Sequence, residues 1–377
     1  MRPASLVGAA LLVVVGACSR DADPAARTNA ADKPAVAGEV AAEDQAQQSA
    51  KTAAEAASLI REDGTIFAET ELMGTRVSIN LWVGPGGDAL AASEAMTDAI
   101  HEMARIEDIA SEWRATSDLT RVNEAGGAPV TVAPELIEIL ARAAAVSAQT
   151  EGLFDVSFYS VGQLWRFEPG AEPPSKDRIA ERLPSVDWRS IELDPNAGTV
   201  RLGKPGMKVG LGAIAKGYAV DRASAVLLAR GFANHIVEAG GDTQVSGQKG
   251  DKPWRVGVQD PRQVAGRIGH ISAKDEAVVT SGNYARFFEW EGVHYTHILD
   301  PRTGWPIPTD RSPKSVTLVA SNATDADAYC TAVSVMEPAQ GLAFVEAHAG
   351  LEAVIIGPDD ALYVSAGLKD RFVDERE

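Results

Sequence analysis

Three stretches of this chain carry residue types whose spacing could do chemistry. The first is Asp325-Ala326-Asp327-Ala328-Tyr329-Cys330-Thr331. On a helix, Asp327 and Thr331 lie one turn apart and share a face. A carboxylate with a hydroxyl is hard oxygen ligation suited to Mg²⁺, which takes few protein ligands and leaves positions for phosphate oxygens. The plain alternative is an acidic first turn that complements the helix dipole. The second stretch is Gly210-Leu211-Gly212-Ala213-Ile214-Ala215-Lys216-Gly217-Tyr218-Ala219-Val220-Asp221, a Gly-rich turn running into an Ala-rich helical segment that ends near Arg230. Glycine lets backbone approach a ligand closely, and the first N–H groups of a helix suit an anion, with Lys216 as a point charge beside it. The pattern is neither a P-loop nor a G-x-G-x-x-G fingerprint, so a tight turn before an ordinary capped helix stays open.

The third stretch is His294-Tyr295-Thr296-His297-Ile298-Leu299-Asp300-Pro301-Arg302-Thr303-Gly304. Two histidines invite a zinc reading, but no third nitrogen or sulfur ligand stands nearby. On a strand they point to opposite faces. His297 suits a general base or a group holding phosphate, and Asp300 to Gly304 reads as a turn. Trp113, in Ser111-Glu112-Trp113-Arg114, could stack on a planar ring or simply pack. There is no G-x-S-x-G elbow to suggest a serine hydrolase.

The elements that must position these residues follow from periodicity. Two strands, about 65–71 and 76–83, flank Met73-Gly74-Thr75 as a hairpin, and Gly84-Pro85-Gly86-Gly87 breaks the chain. A long amphipathic helix over about 89–113 places Met96, Ile100, Met103, Ile106 and Ile109 toward a core. Pro134 opens a second helix to about Thr150, and Gly231 closes the central helix as a C′ glycine. Gly152 to Ser157 and Leu164 to Phe167 flank a turn or a wall of the site, and 169–187 reads as a Pro- and charge-rich surface excursion. A strand near 233–238 enters Gly240-Gly241-Asp242; further short strands fall near 254–258, 267–271, 278–280, 315–320 and 351–356. Helices are expected near 324–336 and 338–348. Strands and helices in mixed order without a βαβ rhythm predict an α+β fold, mixed sheets with packed helices.

With 377 residues, 45% hydrophobic and 23% charged, the composition is that of a globular protein with a substantial core. A formal charge of −18 and the lack of a basic stripe argue against a nucleic-acid surface, so any phosphate site is local. Arg2 precedes an apolar run from Leu6 to Ala17 that is too short to span a bilayer and suits a signal peptide. The run ends in Val15-Gly16-Ala17-Cys18, which resembles a bacterial lipobox in which cleavage leaves a lipidated Cys18. Residues 1–18 are then a lipoprotein signal peptide, 19–60 a flexible acidic Ala-rich tether, and 61–377 the folded domain. Cys18 and Cys330 are the only cysteines, so lipid on the first leaves no intramolecular disulfide.

Met73-Gly74-Thr75, Ser117-Asp118-Leu119 with Asn123, Gly152 to Ser157, Leu211 to Asp221, Gly240-Gly241-Asp242, Thr280-Ser281-Gly282-Asn283-Tyr284, His297 to Gly304 and Ala326 to Thr331 occur in this order. The series, over roughly Thr65 to Ala366, resembles the ApbE-type FAD:protein FMN transferases. The resemblance implies a lipid-anchored enzyme of the bacterial cell envelope, facing the periplasm, that cleaves the FAD pyrophosphate with Mg²⁺. FMN would pass to a Thr or Ser of an acceptor flavoprotein, expected to be a respiratory electron-transport subunit, and AMP would leave. By the same resemblance Asp327, Thr331 and the backbone carbonyl of Ala213 hold the metal, and His297 takes the acceptor hydroxyl proton. Met73, Trp113, Asp155, Val156, Ser157, Lys216 and Ile298 fall at or near FAD-contacting positions. Gly210 stands where many family members carry an acid, on the FAD side of the site. Two other outcomes keep the fold: an FAD pyrophosphatase, with water attacking, and an FAD-binding lipoprotein without turnover, which Gly210 favours.

Overall fold

The strand Thr75–Trp82 (β2) alternates buried Val77, Ile79 and Leu81 with more exposed neighbours, as a strand with one face on a core must. It pairs antiparallel with Thr65–Leu72 (β1) through a turn in which both Met73 (φ 53°) and Gly74 (φ 69°) are left-handed. Such a two-residue turn matches the strand twist, but a methionine in that backbone is unusual and marks the position for a closer look. The computed structural model describes residues 59–263 and 266–376. The expected signal peptide, Cys18 and almost all of the tether lie outside the described residues.

From β2 the sheet continues through His235–Ala239 (β3), Asp242–Ser246 (β4), Glu276–Gly282 (β5), Ser315–Ala320 (β6), Glu352–Ile356 (β7) and Leu362–Val364 (β8). These eight strands lie side by side in the order in which they occur in the chain. Each is antiparallel to the one before it. Five helices matter for the site: Ala89–Ala110 (α1), Pro134–Gln149 (α2), Ala215–Ala229 (α3), Ala323–Ser334 (α4) and Pro338–Ala347 (α5). The architecture is α+β. α3 packs between α1 and α4 and touches β3 and β4, while α4 lies across β5 and β6. The main core therefore sits between one face of the sheet and this helical layer.

On α1, Met96, Met103, Ile106 and Ile109 are buried at helical spacing, and Ile100 is partly buried. The helix ends at Ala110, earlier than the periodicity predicts. Ser111 leaves the helical region (ψ 126°) and its carbonyl accepts from Ser117 Oγ at 2.6 Å, which turns the chain away and leaves Trp113 outside the helix. Gly231 takes φ 86° at the end of α3, as a C′ glycine does.

The excursion over 169–187 is more than a surface loop. Its helix Lys176–Arg182 buries Ile179 in a second cluster with Val161, Trp165, Phe288 and Leu299. An unanticipated hairpin, Phe287–Trp290 paired with Val293–Thr296, supplies Phe288 and Tyr295 to that cluster. Two three-stranded sheets are also present, one from Trp254–Gln259, Arg267–Ala273 and Phe372–Asp374, the other from Val130–Thr131, Ile191–Asp194 and Thr199–Leu202, and Leu299–Asp300 pairs with Trp305–Pro306.

Candidate active site

The site forms where α3 crosses α4 over the start of β4. Gly240 and Gly241 make the tight β3–β4 turn with φ 58° and 97°. A Cβ on Gly240 would stand 2.5 Å from Thr75 Oγ1, so glycine is required there by space as well as by φ. This turn delivers Asp242, 2% exposed, to the underside of α3. Lys216, in the first turn of α3, donates from Nζ to Asp242 Oδ2 at 2.8 Å and to Asp327 Oδ2 at 3.2 Å; the Gly212 carbonyl lies at 3.4 Å.

The register of α3 against α4 has identifiable causes. Asp221 accepts from the Ala323 and Thr324 N–H groups, each at 2.8 Å, and from Thr324 Oγ1 at 2.5 Å, capping α4 from a neighbouring helix. One turn earlier on α3, Gly217 lets the helices close: a Cβ there would lie 2.2 Å from the Ala323 carbonyl oxygen and 3.0 Å from Asp327 Cβ. These two contacts set Asp327, in the second turn of α4, beside Lys216. Gly217→Ala is therefore expected to lower stability by about 1–3 kcal/mol, because a backbone carbonyl cannot move aside as a side chain can. Thermal unfolding of that variant checks it, and an unchanged midpoint would mean that the helices do not close on Gly217.

Burial opposes the charge of Lys216, but Asp242 and Asp327 overcome it and raise the Lys216 pKa above the ordinary lysine value. For Asp242, burial and then the Asp327 charge push the carboxyl well up, against the pull of Lys216. The donors that could hold a metal are of one kind. The Gly217 N–H faces Asp327 Oδ2 at 3.4 Å, and no backbone N–H among the described residues bonds the Ala213 carbonyl. Thr331 follows Asp327 by one turn of α4, half-buried. A carboxylate, a carbonyl and a hydroxyl fit Mg²⁺, which accepts a sparse oxygen set. No cluster of three His, Cys, Asp or Glu side chains occurs among the described residues. Cys330 points the other way, its Sγ 3.1 Å from the Val316 carbonyl, and burial pushes its thiol up to about 12.

His297 follows the Val293–Thr296 strand. Its Nδ1 and its backbone N–H both lie 3.1 Å from the Arg286 carbonyl oxygen. That oxygen can only accept, so Nδ1 carries the hydrogen and Nε2 is left with a free lone pair. The ring retains some solvent exposure, yet protein crowds it, and burial lowers its pKa to about 4, helped by the charges of Arg286 and Lys216. It is a neutral imidazole able to accept a proton. Phe167 meets it edge-on at 6.4 Å, the front of a wall that continues through Trp165, Phe288 and Tyr295. His294 stacks on Phe287 at 4.4 Å in the hairpin and takes no part.

The other sequence-predicted residues divide. Met73, half-buried, lines a cleft of about 560 Å³ with Gly74, Thr75, Glu107 and Arg114. Trp113, next to Arg114, is 79% exposed and free to stack. Ile298 and Ala213 pack partly buried against the main core. Asp155 and Ser157 turn inward: Asp155 accepts from Ser157 N (2.8 Å), Ser157 Oγ (2.6 Å) and Trp188 N (3.0 Å), while Ser157 Oγ accepts from Asp187 N (2.7 Å). They fasten the excursion, and the Val156 carbonyl fastens the Gly210 N–H at 2.9 Å.

Two residues escaped the sequence reading. Asp242 stood in a quoted motif without a role. Glu112 brings a carboxylate oxygen 3.7 Å from where a Gly212 Cβ would be, and burial raises its pKa against the nearby charges of Arg286 and Lys216. An acid thus stands beside the 210–212 loop, although position 210 itself is glycine. A Cβ on Gly210 would lie 3.0 Å from the Tyr159 ring, so here the aromatic ring takes the space.

Oxygen donors for a dication, an ammonium within reach of an anion and a neutral histidine together suit an enzyme that transfers a phosphorus-containing group. The model of the ApbE family matches residues 73–355, and the chain belongs to that family. It is 34% identical over 304 residues to an FAD:protein FMN transferase of Treponema pallidum, covering 76% of this chain and 83% of that protein. Identity to an FAD:protein FMN transferase of Vibrio cholerae is 31%, covering 79% and 90%. The crystal structure of the ApbE protein from Thermotoga maritima superimposes with a TM-score of 0.74 at 32% identity, covering 83% of this chain and all (100%) of that one. The flavin transferase ApbE from Vibrio cholerae gives 0.70 at 28% identity, covering 81% and 99%.

Proposed function

We propose that this protein is a Mg²⁺-dependent FAD:protein FMN transferase, anchored by lipid on Cys18 to an envelope membrane and facing the periplasm. The observation that carries the reading is the meeting of Lys216 and Asp327 at the α3–α4 junction, with Thr331 one turn further along α4 and, three residues before Lys216, an Ala213 carbonyl that no backbone N–H bonds among the described residues. Asp327, Thr331 and Ala213 would hold the metal, which supplies charge neutralisation and orientation of the pyrophosphate. Lys216 and the first N–H groups of α3 add fixed positive potential for the phosphates. His297 Nε2 takes the proton of the acceptor Thr or Ser hydroxyl as its oxygen bonds the FMN phosphorus; the bond to the AMP phosphate oxygen breaks and AMP leaves. The wall of Phe167 and Trp165 limits water around His297, and Met73 with Trp113 offers apolar surface to the flavin.

The test uses purified full-length protein with FAD, Mg²⁺ and a Thr-containing acceptor domain, following AMP release and covalent flavin fluorescence together. Both products are expected, and both should vanish with chelator. AMP with free FMN and a dark acceptor would replace the transferase reading with hydrolysis. The anchor is tested separately: Cys18→Ser should release the protein from the membrane fraction, and continued membrane association would rule lipid on Cys18 out.

A further inference from the structure

We propose that Lys216 is a resident cation which a metal must displace from Asp327, and that Asp242 is the positioning residue that retains it. The result is a site in which a divalent metal and a diphosphate each favour the binding of the other. This rests on the metal-and-pyrophosphate reading above.

An ammonium has three hydrogens to donate. Lys216 Nζ has three acceptors around it, Asp242 Oδ2 at 2.8 Å, Asp327 Oδ2 at 3.2 Å and the Gly212 carbonyl at 3.4 Å. In this arrangement none is left for a phosphate, and Asp327, the carboxylate of the candidate metal set, already faces a positive charge. The two carboxylates are not equivalent. Both are equally buried, but Asp242, at the start of β4 under the Gly240-Gly241 turn, makes the shorter bond to Lys216. Asp327 has a second donor in the Gly217 N–H at 3.4 Å and belongs to the candidate metal set.

A dication at Asp327 sets a second positive charge against Lys216, so in the absence of other ligands the ion pair opposes metal binding. Diphosphate oxygens give Lys216 another acceptor and draw it off Asp327, which opens that carboxylate. Asp242 keeps the ammonium from swinging into solvent while this happens. Because coupling between two ligands is reciprocal, the metal must strengthen diphosphate binding by the same factor.

The test measures Mg²⁺ binding by calorimetry with and without ADP as the diphosphate probe, on full-length wild type and variants. Wild type is expected to bind Mg²⁺ at least tenfold more tightly with ADP than without. In Lys216→Met, Mg²⁺ alone should bind at least tenfold more tightly than to wild type, and the ADP effect should shrink to less than a third of the wild-type factor. Lys216→Arg, which keeps the charge, should preserve the coupling. Arg286→Met removes a nearby charge that does not touch Asp327 and should leave the coupling unchanged. If Lys216→Met folds poorly with Asp242 unpaired, the double variant Lys216→Met/Asp242→Asn removes both charges and should show the same loss of coupling. Coupling that survives in Lys216→Met or the double variant overturns the proposal, as does equal loss in Arg286→Met. Wild type that shows the coupling but transfers no FMN supports this proposal and sinks the transferase reading alone.

Discussion

Asp327→Ala is expected to lower Mg²⁺-dependent AMP release and FMN transfer by about 10³-fold or more, since several kcal/mol of charge stabilisation would depend on the metal proposed at this carboxylate. The fold should survive. Asp327 is almost fully buried (2% exposed), but its strongest partner, Lys216, keeps the shorter bond to Asp242 at 2.8 Å when Asp327 is removed. α4 remains capped by Asp221 through the Ala323 and Thr324 N–H groups. Circular dichroism and the unfolding midpoint should thus stay near wild type while turnover falls to background. Asp327→Asn, which keeps the shape and loses the charge, should fail nearly as badly, separating charge from packing. Wild-type turnover in Asp327→Ala with metal still required would remove Asp327 from the site.

His297→Ala should lose about 10²- to 10⁴-fold in kcat, the usual contribution of a positioned base, while FAD binding measured by flavin fluorescence quenching is retained. The pH profile adds a stricter check. A base must be neutral to act, so the rate falls as pH drops through its pKa. Burial holds His297 at about 4 rather than the ordinary 6.5. kcat/KM reports the free enzyme, and its acid limb should therefore lie near pH 4, with a flat profile from neutrality down to about pH 5. An acid limb at the ordinary histidine value in wild type, or full activity in His297→Ala, would rule His297 out as the base.

What could be read from the chain alone was what is local. Asp327 and Thr331 share a helical face by periodicity, and Gly210 to Asp221 announces a turn entering a helix; both stand as expected. The spacing of Lys216, Gly217 and Asp221 acquires its meaning only in three dimensions, where Gly217 admits a carbonyl and Asp221 caps a helix that begins about a hundred residues later. Asp242 has no role legible in the sequence, because nothing in Gly240-Gly241-Asp242 says that β4 starts beneath Lys216. Nothing in the sequence sets Glu112 apart from its neighbours, since its burial depends on the chain turning at Ser111. The hairpin of Phe287 to Thr296 had a legible cue, Glu291-Gly292 between aromatic-rich runs, with φ 48° and 76°. Asp155 and Ser157 illustrate the opposite limit: a motif fixes residue identity, while the hydrogen bonds that use those side chains come from a segment some thirty residues away.

The chain-order sheet also bears on how the protein is made. Lys216 meets Asp242 26 residues away but Asp327 only 111 residues away. No partial chain lacking α4 can assemble the cluster, however well its earlier hairpins have formed. During synthesis the first 320 or so residues therefore emerge without the complete Lys216, Asp242 and Asp327 cluster. The cluster can be complete only when β6 and α4 are part of the chain.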